Sequence, residues 1–323
     1  MIYIEKALRG HPQVETIQQR LRRHQPIWIH HYGEIFNRHG QNFRLQKNRP
    51  TFILAQKKGT LVYEAPAGYG IGKARNYYFS HLLNCPFDCR YCFLQGMYRS
   101  AHYVLFVNYE AFQSAIQAKV GTESATFFSG YDGDSLALEC YSGFLASFLP
   151  FFRNQPQAEL EIRTKSAAIQ PLLNAPLSPN VVIAYSLNPA AIAQTFEPKT
   201  PPLRARLKAL QMLQNRGWRI GLRFDPILYV ENFTALYSAF FRKIFTTITT
   251  DTLHSVTLGA FRLPKPLYKK MTASKPREPL LAQCSERENN KMGLTKSCEQ
   301  RLLTFCFEQL CQWVPKEKIF LCQ

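Results

Sequence analysis

The stretch NCPFDCRYCFLQ, residues 84–95, places Cys85, Cys89 and Cys92 in a C-x3-C-x2-C spacing. Thiolates are soft ligands, and three on so tight a loop each suit one corner of an iron–sulfur cube. Three sulfurs on a four-iron cluster leave one iron open to another ligand. Zinc usually takes four ligands, often as two C-x2-C pairs. No fourth cysteine or histidine follows at that spacing, and His102 stands isolated. An odd, crowded triplet is a poor disulfide. The reading is therefore a [4Fe-4S] cluster held by Cys85, Cys89 and Cys92. The chain has nine cysteines, so full internal pairing is impossible. A reducing compartment leaves them as thiols.

Working outward, the triplet ends a strand-like run at 76–83, and further apolar runs follow at 124–129, 158–163, 180–187, 218–224 and 255–261. Helix-like stretches separate them. The clearest is 202–216, with Leu203, Leu207, Leu210 and Leu213 on one face, Pro201 and Pro202 at its start and Gly217 as its C-cap. Six strands alternating with helices predict parallel βα units, either closing into a partial barrel or lying as an open sheet. In βα barrels the functional loops lie at the C-terminal ends of strands, where this triplet falls. Residues 1–75 read as a small basic α/β lobe, in which PTFILAQKKGTLVYEAP suggests two strands joined at Lys58-Gly59. GYGIGK (68–73) lacks the G-K-[ST] ending of a phosphate loop and reads as a flexible loop. The barrel is assigned to 76–265. Residues 266–323 read as an extension, with a polar surface loop over 271–297, a helix at about 298–313 and a last strand in KIFLCQ.

Forty Lys/Arg against 22 Asp/Glu give a net charge of +18. The excess sits on the flanks: residues 1–80 hold 13 basic against 4 acidic, 81–260 hold 15 against 12, and 261–323 hold 12 against 6. Such a surface attracts polyanions, nucleic acid foremost. No apolar run reaches the ~18 residues of a membrane span, and MIYIEKALRG lacks a secretory apolar stretch. The expectation is a cytoplasmic enzyme with no membrane partner.

C-x3-C-x-Φ-C, with Tyr91 at the aromatic position, resembles the signature of the radical S-adenosylmethionine superfamily. Further segments resemble the spore photoproduct lyase family: SGYDGDSLALE (129–139), EIRTKSA (161–167), YSLNP (185–189), the run 196–227 and LGAFRLPK (258–265). The resemblance implies a partial (β/α)6 barrel and a C–C lyase that repairs a pyrimidine photoproduct in DNA by hydrogen abstraction. Its cofactors would be the cluster and S-adenosylmethionine, and its partners damaged DNA and an electron donor such as flavodoxin or ferredoxin. It assigns Ser129, Gly130 and Asp134 to the methionine end of the cofactor, Lys165 to its carboxylate, and Ser186 and Asn188 to its ribose or amino-acid part. Turn and capping roles also suit Ser186, Asn188 and Asp134. Tyr91 and Phe93 flank Cys92, to shield the cluster or to take a radical role. Two departures stand out. Spore enzymes carry a hydrogen-returning cysteine where Tyr131 stands here, so a member lacking that cysteine is expected, with Tyr131 a candidate donor. Their tyrosine after the third cluster cysteine is Phe93 here. Cys140 falls in a helix-like stretch and reads as a core thiol. Two other readings stay open: a radical enzyme acting on RNA, a peptide or a small molecule, and a non-enzymatic iron–sulfur nucleic-acid binder.

Overall fold

A computed structural model describes every residue except 22–24, 73–74, 122 and 323. Its central sheet has eight strands among the described residues, in the order Ile319–Leu321, Leu253–Ala260, Arg219–Ile227, Val181–Ser186, Ala158–Thr164, Ala125–Ser129, Arg75–Phe79 and Val62–Glu64. The six strands from Arg75–Phe79 to Leu253–Ala260 pair in parallel, each with the next along the chain. They are the first to sixth barrel strands here, and they coincide with the six apolar runs. Ala125–Ser129 and Val181–Ser186 are buried at every residue, as parallel strands covered on both faces require. The helix expected at 202–216 spans Leu203–Arg216, and Gly217 ends it with φ of 101°. The left-handed turn there favours glycine.

The sheet is curled into an open partial barrel. Glu161 on the third strand reaches past the fourth to Arg223 on the fifth, with Oε2 2.7 Å from Nη2 and Oε1 3.1 Å from Nε. Both side chains are fully buried. Burial opposes the Glu161 charge, but the Arg223 and Arg163 guanidiniums outweigh it and hold its carboxyl at about 2. Inward curvature brings strands three and five closer together and suits such a pair.

A second sheet has the order Pro26–Ile29, Ile2–Glu5, Phe52–Ala55, Tyr103–Phe106, Leu82–Leu83. The two strands around Lys58-Gly59 therefore form but do not pair. Phe52–Ala55 lies inside this sheet between two parallel neighbours, whereas Val62–Glu64 runs antiparallel on the edge of the barrel sheet. The residues explain the parting. Ile53, Leu54 and Ala55 are all buried and need cover on both faces, while Tyr63 and Glu64 face solvent, as suits an edge. The run at 76–83 also divides: Arg75–Phe79 joins the barrel, and Leu82–Leu83 pairs with Tyr103–Phe106.

The polar stretch at 271–297 is structured rather than a loop. Helix Lys265–Ser274 leads through the short helix Pro279–Ala282 to a sheet of Arg262–Pro264, Lys291–Gly293 and Ser285–Arg287. Asn289 and Asn290 turn its hairpin at φ of 58° and 57°, a left-handed conformation that asparagine tolerates. The last helix spans Lys296–Cys311, capped by Thr295, and Ile319–Leu321 extends the barrel sheet beside the sixth strand. Among the described residues no helix is long and apolar enough to cross a membrane.

Candidate active site

The cysteine loop leaves the second sheet at Leu83 and is tied down from several distant parts of the chain. Asn84, in a left-handed conformation, donates its backbone N–H to Asp132 O at 2.8 Å. Asp88 and Arg90 donate theirs to Pro198 O and Phe196 O at 3.1 and 2.8 Å. Arg90 forks onto Glu278 at 2.8 and 3.1 Å. Lys47 donates to the Cys85 carbonyl, and Gln95 Nε2 donates to the Cys89 carbonyl at 2.7 Å. Thus held, Cys85, Cys89 and Cys92 all line one cavity at the C-terminal ends of the barrel strands. All three are free thiols. Burial pushes each thiol up, Cys89 to about 12, so the loop does not favour bare thiolates. Metal coordination supplies the missing compensation. Among the described residues no three His, Cys, Asp or Glu side chains converge as a single-ion site. A cube, whose irons occupy separate corners, does not need that convergence. The donor set of three sulfurs on one cavity wall fits an iron–sulfur cluster.

Ser129 ends the second strand, Gly130, Tyr131 and Asp134 stand in the loop after it, and all four line the same cavity. Gly130 has φ of +86°, and a Cβ there would lie 2.5 Å from Ser135 Oγ. Ser129 Oγ is engaged with Ser135 Oγ at 2.9 Å and donates to Glu161 O at 3.0 Å. Asp134 is spent on the protein itself. Its Oδ1 accepts from Leu136 N, Ala137 N and Thr164 Oγ1, and its Oδ2 accepts from Lys165 N at 2.6 Å. It clamps the second-strand loop to the third-strand loop and thereby sets where Lys165 begins. Lys165 and Ser186 line the cavity beside the cysteines. Burial opposes the Lys165 ammonium, but the facing Cys89 and Glu197 outweigh it and raise its pKa.

Asn188 is not on the cavity wall. Its amide donates to Glu197 Oε1 at 2.9 Å. Glu197 also accepts from the Tyr91 hydroxyl and, at 2.5 Å, from Arg206 Nη2. Glu197 and Arg206 are both 0% exposed. Arg206 further donates to the Ser186 carbonyl at 3.2 Å. Tyr91 lies beneath Lys165, whose ammonium is 5.6 Å from the ring centre. Fourth-strand exit, cluster loop and Lys165 are thus joined through one buried carboxylate. Residue-level reading overlooked Glu197 and Arg206. A signal existed: Arg206 sits on the same helical face as Leu203, Leu207 and Leu210, where an arginine must find a buried partner.

The wall beyond holds Tyr131, stacked on Tyr78 with ring centres 4.3 Å apart and 5.7 Å from Phe93. Burial pushes the Tyr131 hydroxyl up to about 12, which keeps its proton on. Arg262, paired with Asp225 at 2.9 Å, also lines the cavity, with its guanidinium 4.9 Å from the Tyr69 ring centre.

The chain has known relatives. The spore photoproduct lyase of Bacillus subtilis (strain 168) is 23% identical over 291 residues, spanning 87% of this chain and 83% of its own. A solved spore photoproduct lyase variant with bound AdoMet and dinucleoside spore photoproduct matches with a TM-score of 0.83 at 16% identity, covering 100% of this chain and 97% of its own. A solved C140S variant of spore photoproduct lyase matches at 0.84 and 17%, with the same coverage. That variant corrects one expectation. The reading of a member lacking that cysteine rested on Tyr131 alone, and it does not stand: this chain carries a cysteine beyond the second strand, Cys140. Nor is Cys140 a core thiol: the helix Glu139–Ser142 carries it exposed, and it is not among the cavity-lining residues. The family model described as spore photoproduct lyase matches residues 41–299, which take in the cysteine loop and all six barrel strands; the chain belongs to the spore photoproduct lyase family.

Proposed function

We propose that this chain is a radical S-adenosylmethionine lyase that splits a pyrimidine photoproduct in DNA. The carrying observation is the convergence of three free thiols, Lys165 and the second-strand loop on one cavity, in a chain of this family. A [4Fe-4S] cluster with S-adenosylmethionine supplies, when bound, a 5′-deoxyadenosyl radical that abstracts hydrogen from the lesion. Cys85, Cys89 and Cys92 hold the cluster. Lys165 pairs with the cofactor's carboxylate, and the Ser129–Gly130 turn lets backbone approach its methionine end. Ser186 faces its ribose. Asp134 and Asn188 act one step back, Asp134 by fixing the start of Lys165 and Asn188 by steadying Glu197. Tyr91 closes the floor beneath Lys165. Tyr131 presents a protonated hydroxyl to the cavity, suited to returning hydrogen to the product.

A damaged pair leaves the base stack at lower cost than an intact one, which lets it enter a barrel mouth. The basic 1–75 lobe and the 266–323 extension grip phosphates on either side of the 76–265 barrel. The same surface suits a small acidic electron carrier of the flavodoxin or ferredoxin kind. The test is anaerobic reconstitution, followed by mass analysis of irradiated DNA with and without enzyme. Repaired pyrimidines together with 5′-deoxyadenosine are expected. Formation of 5′-deoxyadenosine with no change in the DNA refutes the substrate, and a protein that binds no iron refutes the reading whole.

A further inference from the structure

Lys47 is buried at the edge of the site, at 6% exposure. It follows the short helix Phe43–Gln46 and points its ammonium at the cysteine loop, where it donates to the Cys85 carbonyl. The Phe43 and Tyr103 rings enclose it, with centres 5.7 and 5.9 Å away. Among the described residues it has no carboxylate within ion-pair distance. The charged groups around it are Asp88 and Lys199, with Cys85 and Cys92 on the loop itself. An ammonium removed from water without an opposite charge is strongly unfavourable. Its place makes sense once the thiols beside it are thiolates on a cluster.

We infer that Lys47 is a positioning residue that sets the reduction potential of the cluster. The inference rests on the iron–sulfur reading above. Three thiolates on an oxidised [4Fe-4S] core leave one net negative charge, and one-electron reduction makes it two. A fixed cation at the Cys85 side stabilises the doubly charged form more than the singly charged one. It therefore raises the potential and eases entry of the electron on which S-adenosylmethionine cleavage depends. Lys165 lies toward Cys89 and is committed to the cofactor, so the two lysines have separate duties. Because Lys47 belongs to the N-terminal part of the chain, docking of that part is coupled to reducibility of the cluster.

The experiment is a redox titration of the anaerobically reconstituted full chain, followed by electron paramagnetic resonance without S-adenosylmethionine. Lys47→Gln keeps a donor near the Cys85 carbonyl and removes the charge, whereas Lys47→Arg keeps the charge. The glutamine variant is expected to retain its iron and show a more negative midpoint, with the arginine variant close to wild type. Equal midpoints for wild type and Lys47→Gln at equal iron content overturn the inference. So does a folded Lys47→Gln chain that loads no iron, since Lys47 then serves to hold the loop; Lys47→Met, scored the same way, checks that outcome. Absence of a cluster from the wild type sinks the functional reading instead, which keeps the two failures apart.

Discussion

Glu197→Gln removes one negative charge from the buried junction beneath the cavity and almost no volume. Arg206 is then left with 0% exposure and no carboxylate. Its remaining bonds go to Pro201 O at 2.8 Å, Ser186 O at 3.2 Å and Thr200 Oγ1 at 2.6 Å, all neutral. Removing one member of a buried pair costs about 3–5 kcal/mol, because the other charge stays behind. The glutamine oxygen still accepts one hydrogen bond, which places the loss near the lower end, about 3 kcal/mol. At ~2 °C per kcal/mol for a chain of this size, the melting temperature should fall by about 6 °C. Anaerobic thermal melts followed by circular dichroism measure this. Glu197→Gln with Arg206→Met should recover about half the loss or more, since replacing both charges by neutral groups is often close to neutral. A single variant within about 1 kcal/mol of wild type, or a double variant less stable than either single, refutes the claim that this pair is dry and mutually dependent.

The Glu161–Arg223 pair governs acid stability. The Glu161 carboxyl is held near 2 against an ordinary 4.5, so its stabilisation is complete above about pH 4.5 and lost as pH falls toward 2, roughly 3 kcal/mol in all. Glu161→Gln should be less stable at neutral pH and lose that part of the acid slope in urea titrations at stepped pH. Gly130→Ala puts a Cβ where φ is +86° and Ser135 Oγ is 2.5 Å away. It should weaken S-adenosylmethionine binding on the order of tenfold or more, read by equilibrium dialysis on the reconstituted protein, for about 1–3 kcal/mol of strain. Tyr131→Phe, turned over in heavy water, should change the deuterium content of the product. Unchanged labelling and rate remove Tyr131 from the hydrogen-return path.

The alternation was legible because six strand-like runs punctuated by helices imply parallel βα units; the choice of a partial barrel over an open sheet came from the family resemblance. The Leu203–Arg216 helix announced itself by leucine spacing and Gly217. What failed was pairing. FILA and LVYE are adjacent in sequence, yet one needs two covered faces and the other only one, so they enter different sheets. The polar run at 271–297 hid its order because its few buried apolar residues, Met271, Leu280, Leu281, Met292 and Leu294, are scattered among charged ones without a period. One of those charged residues, Arg287, pairs with Glu299. Within the site, the candidates at strand ends came from the family resemblance, and all but Asn188 line the cavity. Glu197, Arg206, Lys47 and Arg262 were not found: Glu197 meets Tyr91 across 106 residues, Lys47 meets Cys85 across 38 and Arg262 meets Asp225 across 37, whereas Arg206 finds Glu197 only 9 residues away, around the turn before its helix. Cys140 shows the converse: helical neighbours made it look interior, and the fold turns it outward.

The Arg90–Glu278 fork joins positions 188 residues apart, and the Lys47 contact reaches back 38 residues from Cys85. The cysteine loop therefore acquires its final shape only after most of the polypeptide has been made and the segment around Glu278 has docked. On the iron–sulfur reading, iron delivery is then expected late in maturation. A nascent chain stalled before that segment would expose three thiols on a slack loop, vulnerable to oxidation and poor at retaining metal. Sensitivity of this protein to oxygen during synthesis should exceed its sensitivity once folded.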